Sequence, residues 1–183
     1  MARPWCGYFT GMKSSRGVLE IRRAVPNEAT AIVLVRREAI LSKAKTHYDQ
    51  AILDDWADAM GSSERVARIE RKILDTGFVV LVAEAGDEII GFAMADLSNN
   101  ELQALYTKSN PIGKVGQVLL AALEQLAFET VPFLGCDASL NAESFYKAHG
   151  YIEEYRKDQI SSSGDMISRV VQMRKHRPNT APG

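Results

Sequence analysis

Three β-patterned segments joined by two short turns constrain the fold more than any other feature of the sequence. The first, Phe78–Glu84, is apolar and rich in β-branched residues, which is typical of a buried strand. Gly86-Asp87 predicts a tight turn into Glu88–Leu97, and Asn99-Asn100 predicts a second turn into Glu101–Tyr106. Strands connected so closely pair antiparallel, so the sequence predicts a three-stranded meander.

Helical and extended patterns flank this meander. Before it, the predicted elements are a strand at Val18–Ala24, a helix capped by Asn27 with Ile32, Val35, Ala39 and Ile40 on its apolar face, a helix within Asp49–Met60, and a helix capped by Ser62 or Ser63 with Val66, Ile69 and Ile73 on one side. After it, they are a helix at about Val115–Glu129, a strand at Val131–Ala138, a short helix at Asn141–His149, and strands at Tyr151–Arg156 and Ile167–Met173.

This order of elements predicts a mixed α/β fold. A full helix separates the last meander strand from the strand at Val131, so those two strands must run parallel. The expected architecture is therefore a mostly antiparallel sheet with one parallel pair, covered by helices on both faces.

Length and composition favour a single domain. The chain has 183 residues, of which 46% are apolar and 25% charged. A chain of this size can form one hydrophobic core without stabilisation by a metal ion or a disulfide. We expect residues 1–16 to be a flexible leader, with Met12 as an alternative start, residues 17–174 to be one domain, and residues 175–183 to be a disordered tail.

Charge and cysteine content exclude several classes of function. The net charge of −1 gives no electrostatic reason to expect nucleic acid or an acidic membrane, and no apolar run approaches the roughly 20 residues that span a bilayer. Cys6 and Cys136 are too few for a disulfide framework or a four-ligand zinc site. We therefore expect a cytoplasmic protein without a metal centre.

A strand that runs into a glycine-containing loop and then into a helix forms the first candidate site. Leu105-Tyr106-Thr107 leads through Pro111 to Gly113-Lys114-Val115-Gly116-Gln117. Unpaired N–H groups at a helix start bind anions, phosphates above all, and Gly113 and Gly116 let the backbone approach a ligand. An ordinary turn with capping glycines explains the same residues.

The second candidate site is the stretch Asp137–Tyr151. Asn141 lies at a predicted helix start, and Tyr146 follows five residues later. Considered individually, each residue has an alternative interpretation: Asn141 as a helix cap and Tyr146 as an aromatic residue of the core.

Together these two stretches resemble the GNAT superfamily of acyl-CoA-dependent N-acetyltransferases. Ala138–Tyr151 is close to the family signature l-x-A-S-x-x-N-x-x-A-x-x-F-Y-x-x-x-G-F, and Leu105–Leu120 is similar to its earlier motif, L-Y-V, a proline and G-K-G-x-G-x-x-L-L. The element order matches over Val18–Met173. The chain departs from the family at Gly113–Gly116, which is one residue short and lacks the middle glycine, so the loop either still aims its N–H groups at a pyrophosphate or marks weakened cofactor binding.

The resemblance implies where acetyl-CoA lies. The parallel strands splay apart, the pantetheine arm pairs with the backbone of Leu105 and Thr107, and Asn141 holds the pantetheine region. The pyrophosphate meets the N–H groups of Lys114, Val115, Gly116 and Gln117. Three lysines are candidates for added positive charge: Lys108, Lys114 and Lys147.

The resemblance also implies catalytic roles. Tyr146 is the expected general acid for the leaving thiolate, and a backbone N–H at Leu105–Tyr106 is the expected oxyanion donor. Glu101 is a candidate base, with a solvated strand-end carboxylate as the alternative; Gln103 and Tyr106 are candidate cleft residues. Three further residues receive lesser roles: His149 is expected to be structural, His47 a distant candidate at the substrate entrance, and Cys136 a buried inert thiol.

The expected function is direct acetyl transfer from acetyl-CoA to a primary amine of a small molecule, in an enzyme that can form a homodimer. Three alternatives stay open. They are an inactive acyl-CoA-binding module, an acetyltransferase for a peptide or protein amine, and a domain that binds another nucleotide.

Overall fold

The computed structural model describes residues 9–14, 17–43, 63–109, 114–160 and 167–179. These residues form one eight-stranded sheet in the order β1-β2-β3-β4-β5-β6-β8-β7. The strands are β1 Phe9–Ser14, β2 Gly17–Arg23, β3 Phe78–Ala85, β4 Glu88–Asp96, β5 Glu101–Thr107, β6 Phe133–Ser139, β7 Ile152–Ile160 and β8 Ile167–His176. The helices are α1 Ala29–Lys43, which follows a 3-10 turn at Pro26–Glu28, α2 Ser63–Leu74, α3 Val115–Ala127 and α4 Glu143–Ala148.

The predicted fold class is confirmed. Neighbouring strands are antiparallel throughout, except for the parallel pair of β5 and β6. None of the described helices combines the length and apolarity that a membrane crossing requires.

Helices cover both faces of the sheet, which explains the continuous apolar run of β3. Alternate β3 residues pack into two cores, with Leu81 facing α3 and Val82 facing α1 and α2. Both are fully buried. A strand covered on both sides needs apolar residues at every position, so the two-residue period disappears from its sequence.

β5 and β6 are held together at one point. Their pairing is confined to Glu101 and Gly135, where the Gly135 N–H donates to the Asn100 carbonyl oxygen at 2.8 Å. By contrast, β5 pairs with β4 at six positions along its length. The two strands therefore diverge beyond Glu101 and enclose a wedge between their carboxyl-terminal halves, as predicted.

A β-bulge in β5 sets which side chains face each side of this wedge. Leu102 pairs with Ala95 and Ala104 pairs with Met94, which leaves Gln103 as the extra residue. The alternation of side chains between the two faces of the sheet is therefore shifted by one residue across the bulge. Leu102 and Leu105 consequently contact the core beneath α3, whereas Ala104 and Tyr106 contact the core beneath α1 and α2.

An ion-pair network fixes the start of α1 on the sheet. Arg22 on β2 contacts Glu28 at 2.6 Å and donates from Nε to Glu84 on β3 at 2.8 Å. Glu28 also accepts from the Val25 N–H at 2.8 Å, and Val25, not the predicted Asn27, occupies the N-cap position of this first turn. Burial opposes ionisation of Glu28, but these hydrogen bonds outweigh it and lower the pKa of the carboxyl.

Both chain ends differ in part from expectation. Residues 9–14 of the predicted leader form β1, which pairs antiparallel with β2 and covers an edge that would otherwise expose unpaired backbone groups. Lys175 and His176 of the predicted tail belong to β8, opposite Leu134 and Phe133. The helix predicted within Asp49–Met60 lies outside the described residues, and the domain limits 17–174 stay a prediction.

Gly91 on β4 offers a test of the packing beside the wedge. A Cβ at this position would lie 3.0 Å from Leu119 Cδ1 on α3 and 3.1 Å from the Tyr106 carbonyl oxygen. Gly91→Ala is therefore expected to cost about 1–3 kcal/mol of unfolding free energy, the range for overpacking, as measured by urea denaturation.

Gly135→Ala is the matched control, because its Cβ would meet nothing closer than Gln172 Nε2 at 3.4 Å. Equal stability of the Gly91→Ala variant and the wild type would contradict this close packing of α3 and β5 on β4.

Candidate active site

The wedge between β5 and β6 brings the two predicted motifs together. Thr107 ends β5 on one side, and the β6–α4 connection that carries Asn141 follows Ser139 on the other. Tyr106 and Leu140 both pack against a cluster formed by Val33 and Ile40 of α1, so α1 covers one face across the two walls. The main chain of Leu105 and Tyr106 is paired with β4 and not with β6, which leaves one side of β5 available to an extended ligand.

The start of α3 presents main-chain donors at the open end. Lys114 is the N-cap residue, and the first turn carries no acidic side chain to offset the positive end of the helix. A Cβ at Gly116 would make only ordinary contacts, 3.7 Å to the Phe145 ring and 3.9 Å to Thr107 Cγ2. Packing therefore does not require glycine at this position. Gly113 lies outside the described residues.

Asn141 provides an acceptor without a donor. Its Oδ1 atom is buried, and no hydrogen-bond donor lies within reach among the described residues. The side chain does not cap the short helix, since α4 begins at Glu143 with Ala142 as its N-cap residue. An unsatisfied buried acceptor is costly, so this atom fits an amide N–H of a ligand such as pantetheine.

Tyr146 on α4 is 7% exposed. Its ring makes edge contacts with Phe145 and Tyr151, at centroid distances of 5.4 and 5.3 Å. Burial raises the pKa of the phenol well above its usual value, and Cys136 and Tyr106 raise it further. The side chain is therefore a neutral hydroxyl donor, whose ring belongs to the core as the alternative interpretation predicts.

Glu101 lies at the closed end of the wedge, within a polar network. Its Oε2 accepts from Gln103 Nε2 at 3.2 Å, and Gln103 in turn accepts from Lys72 on α2. Asp96 joins the network by accepting from Gln103 at 3.2 Å. Glu101 is half-buried, and its bond to Gln103, which Lys72 of α2 contacts, places its carboxylate on the α1 and α2 side.

Several expected site residues have structural partners. Lys108 contacts Glu88 at 2.5 Å, and Lys147 contacts Glu143 at 2.7 Å and Glu153 at 3.1 Å. These two lysines thus have carboxylate partners on the protein itself, whereas Lys114 is exposed at the start of α3.

The other candidate residues were predicted to be structural or distant. His149 Nδ1 lies 2.7 Å from the Phe145 carbonyl oxygen, a local contact at the end of α4. Cys136 is free and buried, and burial raises the pKa of its thiol to about 12, as expected of an inert thiol. His47 lies outside the described residues.

The sequence reasoning missed a group of cations around Tyr106. Arg36 on α1 places its guanidinium 5.5 Å from the centre of the Tyr106 ring. Burial lowers the pKa of Arg65 on α2, and the neighbouring charges of Arg36 and Arg68 lower it further. The available signal was the spacing of Arg65, Arg68 and Lys72 at i, i+3 and i+7, on one side of the helix.

Comparisons with known proteins agree with this geometry. A family model described as an acetyltransferase (GNAT) domain matches residues 43–176. A GCN5-related N-acetyltransferase structure from Rhodopseudomonas palustris, also described as a class-II aminotransferase, is 24% identical with a TM-score of 0.76 over 91% of this chain and 99% of that one.

Two further similar structures contain the donor or its product. The PaiA N-acetyltransferase of Thermoplasma acidophilum with coenzyme A is 22% identical, with a TM-score of 0.69 over 87% of this chain and 99% of that one. A phosphinothricin acetyltransferase of Sinorhizobium meliloti with acetyl-CoA is 17% identical, with a TM-score of 0.64 over 86% and 88%. No curated protein is similar enough in sequence to be matched. The family match, together with the wedge, shows that this chain belongs to the GNAT acetyltransferases, which use acetyl-CoA as the acetyl donor.

Proposed function

We propose that the protein transfers the acetyl group of acetyl-CoA to a primary amine of a small molecule, by direct attack within the wedge. The observation that carries this proposal is the single β5–β6 contact at Glu101 and Gly135, beyond which the strands part. The buried Asn141 acceptor lies on the connection that leaves β6, and the neutral Tyr146 phenol follows on α4.

The residues present fit acetyl-CoA, which supplies an acetyl group activated as a thioester. The N–H groups of Lys114, Val115, Gly116 and Gln117 would bind the pyrophosphate, with Gly113 as a further proposed contact. The main chain of Leu105 and Thr107 would pair with the pantetheine amides along the edge of β5 that faces β6 but is not hydrogen-bonded to it. Asn141 Oδ1 would accept a hydrogen bond from the pantetheine region.

The chemistry requires a neutral amine and a protonated leaving thiol. An alkyl amine with a pKa near ~10.4 is mostly protonated at pH 7, so a base must remove a proton, and we assign this role to Glu101. Tyr146 would donate its phenolic proton to the departing thiolate. A backbone N–H at Leu105–Tyr106 would stabilise the oxyanion that forms on the thioester carbonyl.

Direct attack is favoured because the described part of the wedge offers no activated nucleophile. The thiol of Cys136, whose pKa is raised to about 12, stays protonated and buried between sheet and helices. The amine itself therefore has to attack the thioester.

The burial of Tyr146 favours one alternative, a module that binds acyl-CoA without catalysis. Its ring is packed into the core, and the glycine loop is shorter than the common family form. Assaying free thiol release from acetyl-CoA with a panel of primary amines and with peptides distinguishes a small-molecule enzyme, a peptide-directed enzyme and a binding module.

We also propose a cytoplasmic location and a possible homodimer. The free thiol of Cys136 suits a reducing compartment, and β7 ends the sheet as an edge strand.

Tyr146→Phe tests the general acid. Removing the hydroxyl should lower the rate of thiol release by roughly 10²–10⁴-fold, the contribution of a positioned acid, and leave the dissociation constant for CoA within about twofold. Tyr155→Phe, at a 54% exposed position on β7, is the matched control. Unchanged turnover of the Tyr146→Phe variant would remove the phenol from the mechanism.

Asn141→Ala tests the cofactor contact. Loss of one hydrogen bond should weaken CoA binding by about 1–2 kcal/mol in titration calorimetry. The melting temperature should not fall, because Oδ1 has no described partner in the protein. Asn99→Ala, which removes a 2.9 Å bond to Asp96 away from the open end, should leave CoA affinity unchanged. An unaltered dissociation constant for Asn141→Ala would place this side chain outside the site.

Glu101→Gln tests the base. The loss in kcat/KM should be largest near neutral pH and shrink as the pH approaches the pKa of the amine, where neutral acceptor is already abundant. Glu129→Gln, at an exposed position after α3, is the control. A deficit that is constant across the pH profile would exclude Glu101 as the base.

A further inference from the structure

Gln103 connects three charged side chains that belong to three different elements. Its Oε1 atom accepts from Lys72 Nζ on α2, and its Nε2 atom donates to Glu101 on β5 and to Asp96 on β4, at 3.2 Å in both cases. The network lies at the closed end of the wedge, where β5 meets β6 at Glu101. A neutral amide thus stands between an ammonium group and two carboxylates.

The β-bulge in β5 brings Gln103 within reach of these groups. Gln103 is the unmatched residue between Leu102 and Ala104. Leu102 packs into the core beneath α3, whereas Gln103 and Ala104 both reach the side on which Lys72 lies. A regular strand cannot direct two consecutive side chains to one face. The bulge therefore adds a polar side chain to the face that carries the Glu101 carboxylate.

Charge determines which way the amide of Gln103 faces. An ammonium group has donors and no acceptor, so Lys72 can bond to Oε1 but not to Nε2, whereas ionised Glu101 and Asp96 accept only and require Nε2. Exchanging the two amide atoms would set donor against donor at Lys72 and acceptor against acceptor at both carboxylates. The amide therefore has a single satisfactory orientation, which is set from both of its ends.

The two carboxylates differ in how firmly they are held. Asp96 is 6% exposed, and its Oδ1 accepts from the N–H groups of Ser98 and Asn99 at 3.0 and 3.2 Å, while Oδ2 also accepts from the Asn99 side chain at 2.9 Å. Glu101 is half-buried, and among the described residues its side chain accepts the one hydrogen bond from Gln103 to Oε2. Asp96 thus anchors the amide, whereas Glu101 keeps an oxygen that no described residue occupies.

An amide bridge suits a base better than a direct ion pair does. In the described part of the chain Lys72 forms no salt bridge with Glu101, since its ammonium contacts the Gln103 oxygen and lies 4.9 Å from the centre of the Phe78 ring. A cation in contact with a carboxylate favours the charged form and opposes uptake of a proton. The amide holds the carboxylate while it keeps the ammonium one group away.

We propose that Gln103 is a positioning residue for the base: its amide holds Oε2 of Glu101, and Lys72 fixes the orientation of that amide. This inference rests on the proposed function, in which Glu101 removes a proton from the acceptor amine. The hydrogen bond restrains rotation of the Glu101 side chain, so that Oε1 is presented to the amine in one orientation. Gln103 and Lys72 act through Glu101 and do not themselves touch the reacting atoms.

Gln103→Met tests this role, because methionine matches glutamine in length, keeps the bulge residue and cannot donate a hydrogen bond. In the assay of thiol release from acetyl-CoA, kcat should fall about ten- to a hundredfold, the order of effect of a displacement of about 1 Å. The KM for the amine should change less than about twofold, because substrate binding is not affected. Gln172→Met is the matched control and should behave as the wild type, since Gln172 on β8 also accepts from a lysine, Lys157, at 3.2 Å.

The double variant that combines Glu101→Gln with Gln103→Met shows whether Gln103 acts through the base. If it does, adding Gln103→Met to Glu101→Gln should lower kcat by less than about twofold further, because the group that it positions is already gone. Losses that multiply would give Gln103 a role independent of Glu101 and would overturn the inference.

Lys72→Met and Lys72→Arg test the other end of the network. Lys72→Met should lower kcat about as much as Gln103→Met, because the amide is then free to rotate. Lys72→Arg should restore kcat to within about threefold of the wild type, since a guanidinium group also donates and cannot accept. A Lys72→Arg variant as slow as Lys72→Met, or a fully active Lys72→Met variant, would overturn the inference. This pair decides it if Gln103→Met does not fold.

The outcomes separate this inference from the proposed function. If the wild type releases thiol and Gln103→Met matches it, acetyl transfer stands and the inference is overturned. If Glu101→Gln turns over like the wild type, Glu101 is not the base, and the inference is overturned while acetyl transfer again stands. If the wild type releases no thiol with any amine or peptide, acetyl transfer itself fails and the inference fails with it.

Discussion

The hydrogen bond from the Gly135 N–H to the Asn100 carbonyl is the constraint on which the site depends. It fixes where β5 and β6 meet, and everything beyond that contact diverges. β5 is paired with β4 and β6 with β8, so each diverging strand is held by its outer neighbour although the two do not hold each other. The sheet thus offers unpaired backbone groups in its interior, and not only at its edge strands β1 and β7.

Two faces of this wedge carry different chemistry. The α3 side offers main-chain donors and an uncovered glycine, which suit a phosphate-bearing donor. The α1 and α2 side offers arginines around an aromatic ring. Asn141 lies on the connection that leaves β6, and Tyr146, on the helix that follows, packs into the core on the α3 side.

Local patterns in the sequence were sufficient for most of the architecture. The run Phe78–Glu84, the turn at Gly86-Asp87 and the apolar face of α1 each specify an element through neighbouring residues, and the structure places all three as predicted. The parallel pair followed from connection length alone. The pairing of β1 could not be read in this way, because it depends on a backbone edge offered by β2 rather than on a strong pattern in Phe9–Ser14. The cations beside Tyr106 were missed for the same reason, since two helices bring them together.

The bulge at Gln103 has a consequence for how this strand can vary. Leu105 and Tyr106 keep their orientation only while one unmatched residue separates them from Glu101. Exchanging Gln103 for another amino acid would preserve that phase, whereas deleting it would rotate every following position to the opposite side. For the register of this strand, the number of residues in β5 therefore matters more than the identity of the residue at position 103, and an insertion or deletion is the change that this strand tolerates least.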